Sequence, residues 1–192
     1  MTLTDTAKPR LTFPIMQPDD LAVMAKWLRM PHVQQFWSPA PDTAKALHDK
    51  YFGDASQEPG LRRCIIRAEN QPIGFIQRYK VTGADHPYWP FLPDACLALK
   101  IPPVDRAMGL DLFIAEPSAL GIGLAVPIIR KFTAKHCAEA PLLVIDPELS
   151  NTKAIHVYTR AGFRPVMQFD GMPPHMKPVP HQFMAALGPA LG

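Results

Sequence analysis

Short apolar runs alternate with polar breaks along the chain, and their period changes from strand-like to helical and back. Leu11 to Met16 is a short stretch of strand character. Pro18-Asp19-Asp20 then opens a helix: the acids suit its amino end, and Leu21, Met24, Ala25 and Leu28 fall on one apolar face. Arg62 to Ala68 predicts a strand, Glu69 to Pro72 a turn and Ile73 to Tyr79 the returning strand of a β-hairpin. Leu110 to Ala115 is an apolar run with a single acid, Asp111. A glycine-bearing turn and the apolar segment Leu124 to Thr133 follow, giving strand, loop and helix. Leu142 to Asp146 predicts another buried strand. Asn151 to Ala161 predicts a helix stopped by Gly162, where a left-handed cap costs little. The last strands fall near Phe163 to Phe169 and His181 to Leu187.

Proline changes this picture. The chain has 23 prolines in 192 residues, against a usual share of about 5%. They cluster from Pro87 to Pro103 and from Pro165 to Pro180, and both stretches are expected to lack regular helix, because proline removes a donor and disfavours helical geometry before it. The length suits a single domain over residues 1–192. No run approaches the roughly 18 apolar residues of a membrane span, and Met1 to Phe13 has neither a signal-peptide core nor the character of a transit segment, so a cytoplasmic protein with no membrane partner is expected. Cys64, Cys96 and Cys137 are odd in number and widely spaced, which argues for reduced structural thiols rather than disulfides or a zinc site. A net charge of +3 without a basic stripe argues against a nucleic-acid partner.

Candidate chemistry begins at Ser118 to Ala125, where Gly121 and Gly123 place a turn between a strand and a helix. Bare N–H groups at the positive end of a helix hold phosphates, although two glycines alone are as readily structural. A dinucleotide fingerprint would need a third glycine where Val126 stands, and the Gly-Lys-Ser/Thr of a nucleotide triphosphate loop does not occur. Pro127 is harmless only within the first helical turn, so regular helix should begin close to Gly123 or Leu124, freeing the donors of Leu120, Gly121, Ile122, Gly123, Leu124 and Ala125. Further on, Asn151, Ala154 and Tyr158 share a helix face. Taken by themselves, they fit a capping asparagine, a small packing residue and a tyrosine over the core.

Together, Gly109 to Ile114, the Gly121-Ile122-Gly123 turn, Ile145-Asp146-Pro147 and the helix from Asn151 to Gly162-Phe163 resemble the GNAT superfamily of acetyl-CoA-dependent acyltransferases in order and spacing. Trp27 to Trp37 is similar to the opening of its aminoglycoside 6′-N-acetyltransferase branch. The resemblance covers Met108 to Phe163, extends loosely to Trp27–Trp37 and Pro72–Tyr79, and is absent from the proline-rich loop and the tail.

What this resemblance implies is an α/β fold with a mixed, mostly antiparallel central sheet, splayed between strands 4 and 5 and flanked by helices. Acetyl-CoA is then the acyl donor, with no metal. The pantetheine pairs with the backbone of Leu112, Phe113 and Ile114, and the pyrophosphate rests on Leu120 to Ala125. Asn151 and Ala154 lie along the pantetheine, and Tyr158 protonates the departing thiolate. Asp111 is either the base or the anchor of the acceptor's ammonium, and Trp37, Tyr79 and Asp146 join it around the acceptor. An attacking amine must be neutral, so a proton acceptor for it and a donor for the leaving sulfur make chemical sense. Ser118 and Ile122 depart from the residues many members carry there, which leaves pyrophosphate binding to backbone donors. The acceptor region of the aminoglycoside enzymes is acidic, whereas Tyr88 to Ile101 has Asp94 as its only acid.

Tyr88, Trp89 and Phe91 are candidates for a pocket wall, with packing the simpler role. His32 and Glu116 are candidates beside the acceptor cleft, and His86 with Asp85 has no third residue at metal-ligand spacing. The leading expectation is acetylation of a small-molecule amine such as an aminoglycoside, by a monomer or homodimer. A polyamine, a peptide amino terminus or a siderophore hydroxylamine is the alternative acceptor, and a non-catalytic acyl-CoA sensor is the competing class.

Overall fold

The computed structural model describes residues 9–37, 41–54, 58–171 and 177–190. Met1 to Lys8, Pro173 and Pro174 therefore lie outside the described residues.

The described residues build a seven-stranded sheet: β1 (Leu11–Thr12), β2 (Arg62–Ala68), β3 (Gln71–Val81), β4 (Ala107–Ile114), β5 (Leu142–Ile145), β6 (Arg164–Asp170) and β7 (Pro180–Leu187). Their order across the sheet is β1-β2-β3-β4-β5-β7-β6. Every pairing is antiparallel except β4 with β5, which run parallel. The first apolar run is shorter as a strand than the sequence predicts, because Pro14 interrupts it. Beyond Thr12 the segment stays beside β2 through an isolated Ile15–Cys64 bridge. The β2–β3 turn is tighter than expected: Ala68 pairs with Gln71, and Glu69 and Asn70 both take positive φ (46° and 68°), the twist a two-residue hairpin loop favours.

Pro18–Asp20 form a 3₁₀ turn leading into α1 (Leu21–Trp27), followed by α2 (Pro31–Gln34) and α3 (Ala44–Phe52). The first proline-rich stretch contains a helix after all, α4 (Leu92–Leu99). Pro93 sits in its first turn, where a missing N–H costs nothing, and Lys100 ends it in the left-handed conformation (φ 58°). α5 (Ala125–His136) and α6 (Thr152–Ala161) complete the set, and Gly162 (φ 115°) caps α6 as its position predicts.

The helices divide between the two faces. Met108 and Leu110 of β4, with Leu112 and Ile114 at the margin, pack against Ile128, Ile129 and Phe132 of α5 and Tyr158 of α6. On the opposite face there are two separate clusters. Met24, Trp27, Val33, Leu47 and Tyr51 of α1–α3 cover Ile65 and Phe75. Tyr88, Leu92 and Ala95 cover Val81, Ala107, Val144 and Phe183. All three cysteines are free and buried. Among the described residues no helix is long and apolar enough to cross a membrane.

Candidate active site

Strand alternation decides which β4 residues meet the gap between those two clusters. Ala107, Gly109, Asp111 and Phe113 share one face, with Ala107 under the α4 cluster and Phe113 under the α1–α3 cluster. Asp111 stands between them, paired in register with Gln77, and Gly109 is paired with Tyr79. Gln77 is itself the register partner of Arg63 on β2. Three polar side chains thus cross β2, β3 and β4 in a row. Arg63 Nε donates to Gln77 Oε1 (3.3 Å), which orients the amide so that Gln77 Nε2 donates to Asp111 Oδ2 (2.6 Å).

Asp111 is pushed up from the ordinary carboxylate range to about 7, chiefly by burial and further by the negative charge of Asp146, with the Gln77 hydrogen bond opposing both. Tyrosines surround the pair. The Tyr88 hydroxyl bonds the Asp146 carboxylate, and Tyr79 bonds Tyr88. Burial and the two carboxylates hold the Tyr79, Tyr88 and Tyr158 hydroxyls well above their ordinary range, so all three stay protonated at neutral pH. Gly109 makes this packing possible: a Cβ there would come within 2.1 Å of the Tyr79 ring.

The gap continues along the far edge of β4. Its pairing with β5 runs only through Met108↔Leu143 and Gly109↔Val144, whereas β4 remains paired with β3 as far as Ile114. From Leu110 onward, the β5-facing edge of β4 has no ladder partner among the described residues, which is the splay the resemblance implies. Beyond its end, Gly121 (φ 74°) and Gly123 (φ 81°) shape the turn into α5. Leu120 already donates its N–H to Pro117, so it drops out of the expected donor set. The N–H groups of Gly121 to Ala125 meet no acceptor among the described residues. Leu120 and Ile122 are exposed, and α5 begins at Ala125, as Pro127 requires. On α6, the Asn151 side chain accepts from Ala154 N (3.1 Å), making it the helix cap, while Ala154 packs on the core. Tyr158 is buried in the core cluster under α5, within electrostatic reach of both carboxylates.

The remaining candidates separate cleanly. Trp37 is half-buried, edge-on to Phe113 (4.8 Å) and Phe75 (6.0 Å), at the α1–α3 border of the cleft. Trp89 and Phe91 pack into the α4 cluster, so packing is their role, whereas Tyr88 packs there and also turns its hydroxyl to Asp146. His86 accepts from Tyr88 N and stacks on Tyr79. His32 is exposed on α2. Glu116 accepts from Trp27 Nε1 (2.7 Å) and Lys26 Nζ (3.2 Å), tying α1 to the end of β4 rather than standing solvated at a loop start. Among the described residues no group of three or more His, Cys, Asp or Glu is placed to hold a metal. Arg63, Gln77 and His181 escape sequence reading, and Gly109 enters it only as the start of a motif, because their roles depend on cross-strand register.

The acetyltransferase (GNAT) domain model matches residues 17–171. Aminoglycoside N(6′)-acetyltransferase type 1 of Klebsiella pneumoniae is 26% identical over 166 residues, covering 84% of this chain and 78% of that protein. The structure of AAC(6′)-Ib in complex with ribostamycin and coenzyme A is similar at a TM-score of 0.73, with 23% identity over 92% of this chain and 93% of that one. Spermidine N-acetyltransferase from Vibrio cholerae, in complex with coenzyme A and spermine, has a TM-score of 0.69 and 14% identity, covering 94% and 97%. These two structural likenesses establish the fold.

Proposed function

The chain belongs to the GNAT acetyltransferase domain family, and from that premise we propose that it moves the acetyl group of acetyl-CoA onto an amine of an aminoglycoside. The observation that carries this reading is the β4–β5 ladder, which stops at Gly109↔Val144 while Asp111 lies two residues further along the opened strand. A carboxylate of raised proton affinity thereby lies beside the point where the two strands stop pairing, which is where an extended thioester arm would enter.

Each part of the site has a matching task. The free edge of Leu112 to Ile114 offers main-chain groups to the amides of a pantetheine, as an added strand would. The N–H groups of Gly121 to Ala125, unpaired among the described residues and at the positive end of α5, would hold a pyrophosphate with no basic side chain required. Asn151 and Ala154 border the same arm. Asp111 and Asp146 give the acceptor side two carboxylates among tyrosine hydroxyls, a lining that suits an ammonium group flanked by sugar hydroxyls, with Trp37 and Tyr79 as walls.

In the reaction Asp111, ionised, accepts one proton from the acceptor's ammonium, directly or through a water. The neutral nitrogen attacks the thioester carbonyl, forming the C–N bond. As the tetrahedral centre collapses and the C–S bond breaks, Tyr158 gives its proton to the departing thiolate, and the second proton shed by the attacking nitrogen passes through water to restore Tyr158. Residue chemistry supports the base: a carboxylate near neutrality accepts and releases protons readily, and Tyr158, which stays protonated, has a proton to give as the strongly basic thiolate develops. One domain supplies both substrate sites. The test is release of free coenzyme A from acetyl-CoA with kanamycin or ribostamycin. Release with spermidine instead would transfer the same chemistry to a polyamine.

A further inference from the structure

The strand ladder between β5 and β7 is interrupted next to the acceptor site. Ile145 pairs with Met184 and Glu148 bridges to His181 in the same register, and between them Gln182 N–H donates to the Pro147 carbonyl (2.9 Å) with no bond returned. Pro147 has no N–H to contribute between them. From that bridge His181 turns its ring onto Asp146: Nδ1 lies 2.7 Å from the Asp146 carbonyl and 3.3 Å from its carboxylate Oδ2. A carbonyl only accepts, so Nδ1 carries the proton and is shared between the two oxygens. Both side chains are buried, 9% and 12% exposed. The other ring nitrogen, Nε2, is buried without a partner among the described residues, against Gly171, where a Cβ would come within 3.0 Å of it.

We propose that His181 is a positioning residue for the acceptor site, its Nδ1–H holding the Asp146 carboxylate beside Asp111 so that the pair receives the acceptor's ammonium. This rests on the acetyltransferase reading above. Asp146 is held from two sides, by His181 from β7 and by the Tyr88 hydroxyl preceding α4. With the His181 contact gone, the carboxylate keeps the Tyr88 hydroxyl as its one remaining anchor of the two. His181 also faces Glu148, which is engaged by Lys177 (3.0 Å), and Asp111, Tyr79 and Tyr158 surround Asp146 from β4, β3 and α6. Asp146 is the contact that chiefly raises the proton affinity of His181, although burial opposes it.

The experiment compares the intact wild-type protein with His181→Leu and His181→Asn. Asparagine places an N–H where Nδ1 stands; leucine does not. The substrates are acetyl-CoA and whichever of kanamycin, ribostamycin and spermidine gives most coenzyme A release. His181→Leu is expected to raise the acceptor KM about tenfold, the loss that follows removal of a hydrogen bond to a charged group, with the acetyl-CoA KM unchanged. His181→Asn is expected to recover most of that loss. An NMR titration of the His181 ring accompanies the kinetics, and its midpoint should fall in Asp146→Asn. A wild-type protein that turns over while His181→Leu keeps its acceptor KM overturns the inference and leaves the functional reading standing, as does a ring midpoint indifferent to Asp146→Asn. Equal loss in both His181 variants, with lowered Tm and both KM values raised together, assigns the residue to the fold alone. No release by wild type with any acceptor overturns the reading and the inference with it.

Discussion

Gln77 Nε2 lies 2.6 Å from Asp111 Oδ2, on adjacent strands and in direct register. This bond is the one influence that pulls the Asp111 proton affinity down while burial and Asp146 push it up. Because Arg63 holds the other end of the amide, Gln77 presents a donor and not its oxygen to the carboxylate. The balance leaves Asp111 at about 7, where it can both accept and lose a proton in the working range.

It follows that kcat/KM should fall as pH drops below about 7, since protonated Asp111 takes no proton. Gln77→Leu removes the lowering bond and should move this acid limb to higher pH. A limb set by the acceptor's own amine would stay where it is, so pH–rate profiles of the two proteins decide whose titration is seen.

Asp111→Asn should lose about 10²–10⁴-fold in turnover, the span of general-base contributions, yet fold more stably at alkaline pH. The folded Asp111 is raised from 3.8 to about 7, so between those values the folded chain keeps a proton that the unfolded chain has released. Its contribution to stability therefore declines as pH rises through that window. The Tm advantage of Asp111→Asn should be full at pH 8 and vanish near pH 4, at about 2–4 °C per kcal/mol for a chain of this size. Thermal scans at the two pH values check it.

Tyr158→Phe should lower kcat about 10²-fold or more while acetyl-CoA affinity stays close to wild type. The ring packs beside Phe163, and phenylalanine keeps that packing, so only the late proton donation is lost. Pre-steady-state thiol release alongside calorimetric titration of acetyl-CoA separates the two quantities. Unchanged turnover would remove Tyr158 from the reaction.

Gly121→Ala and Gly123→Ala each place a side chain at φ 74° and φ 81°, where a Cβ meets nothing within 4 Å. Their cost is backbone strain alone, roughly 1–2 kcal/mol for the left-handed region. If the turn relieves it by rotating its N–H groups, acetyl-CoA affinity should weaken about tenfold with little change in acceptor KM. Calorimetry with coenzyme A reads this directly.

Much of the frame was legible in the sequence because its signals are local. The hairpin at residues 62–81, the buried strand at Leu142, the cap at Gly162 and the glycine turn before α5 all depend on neighbours within a few residues. α4 was hidden because Pro93 reads as a breaker unless it is known to occupy the first helical turn. The sequence named the acids and the tyrosine proposed for the site but not the side chains that support them. Gln77 and Arg63 look like ordinary polar positions on a hairpin until register aligns them with Asp111. Gly109 looks like a strand glycine until Tyr79 lies over it. His181, far along the chain from Asp146, reaches it only through the order of β5 and β7 in the sheet.

The most direct measurement is thiol release from acetyl-CoA by the wild-type protein, with kanamycin, ribostamycin and spermidine as acceptors and Asp111→Asn as the control. Acceptor-dependent release of one coenzyme A per acetylated amine, lost in Asp111→Asn, is the expected result. Tight acetyl-CoA binding with no release above hydrolysis for any amine would contradict it and leave a protein that binds the thioester without transferring its acetyl group.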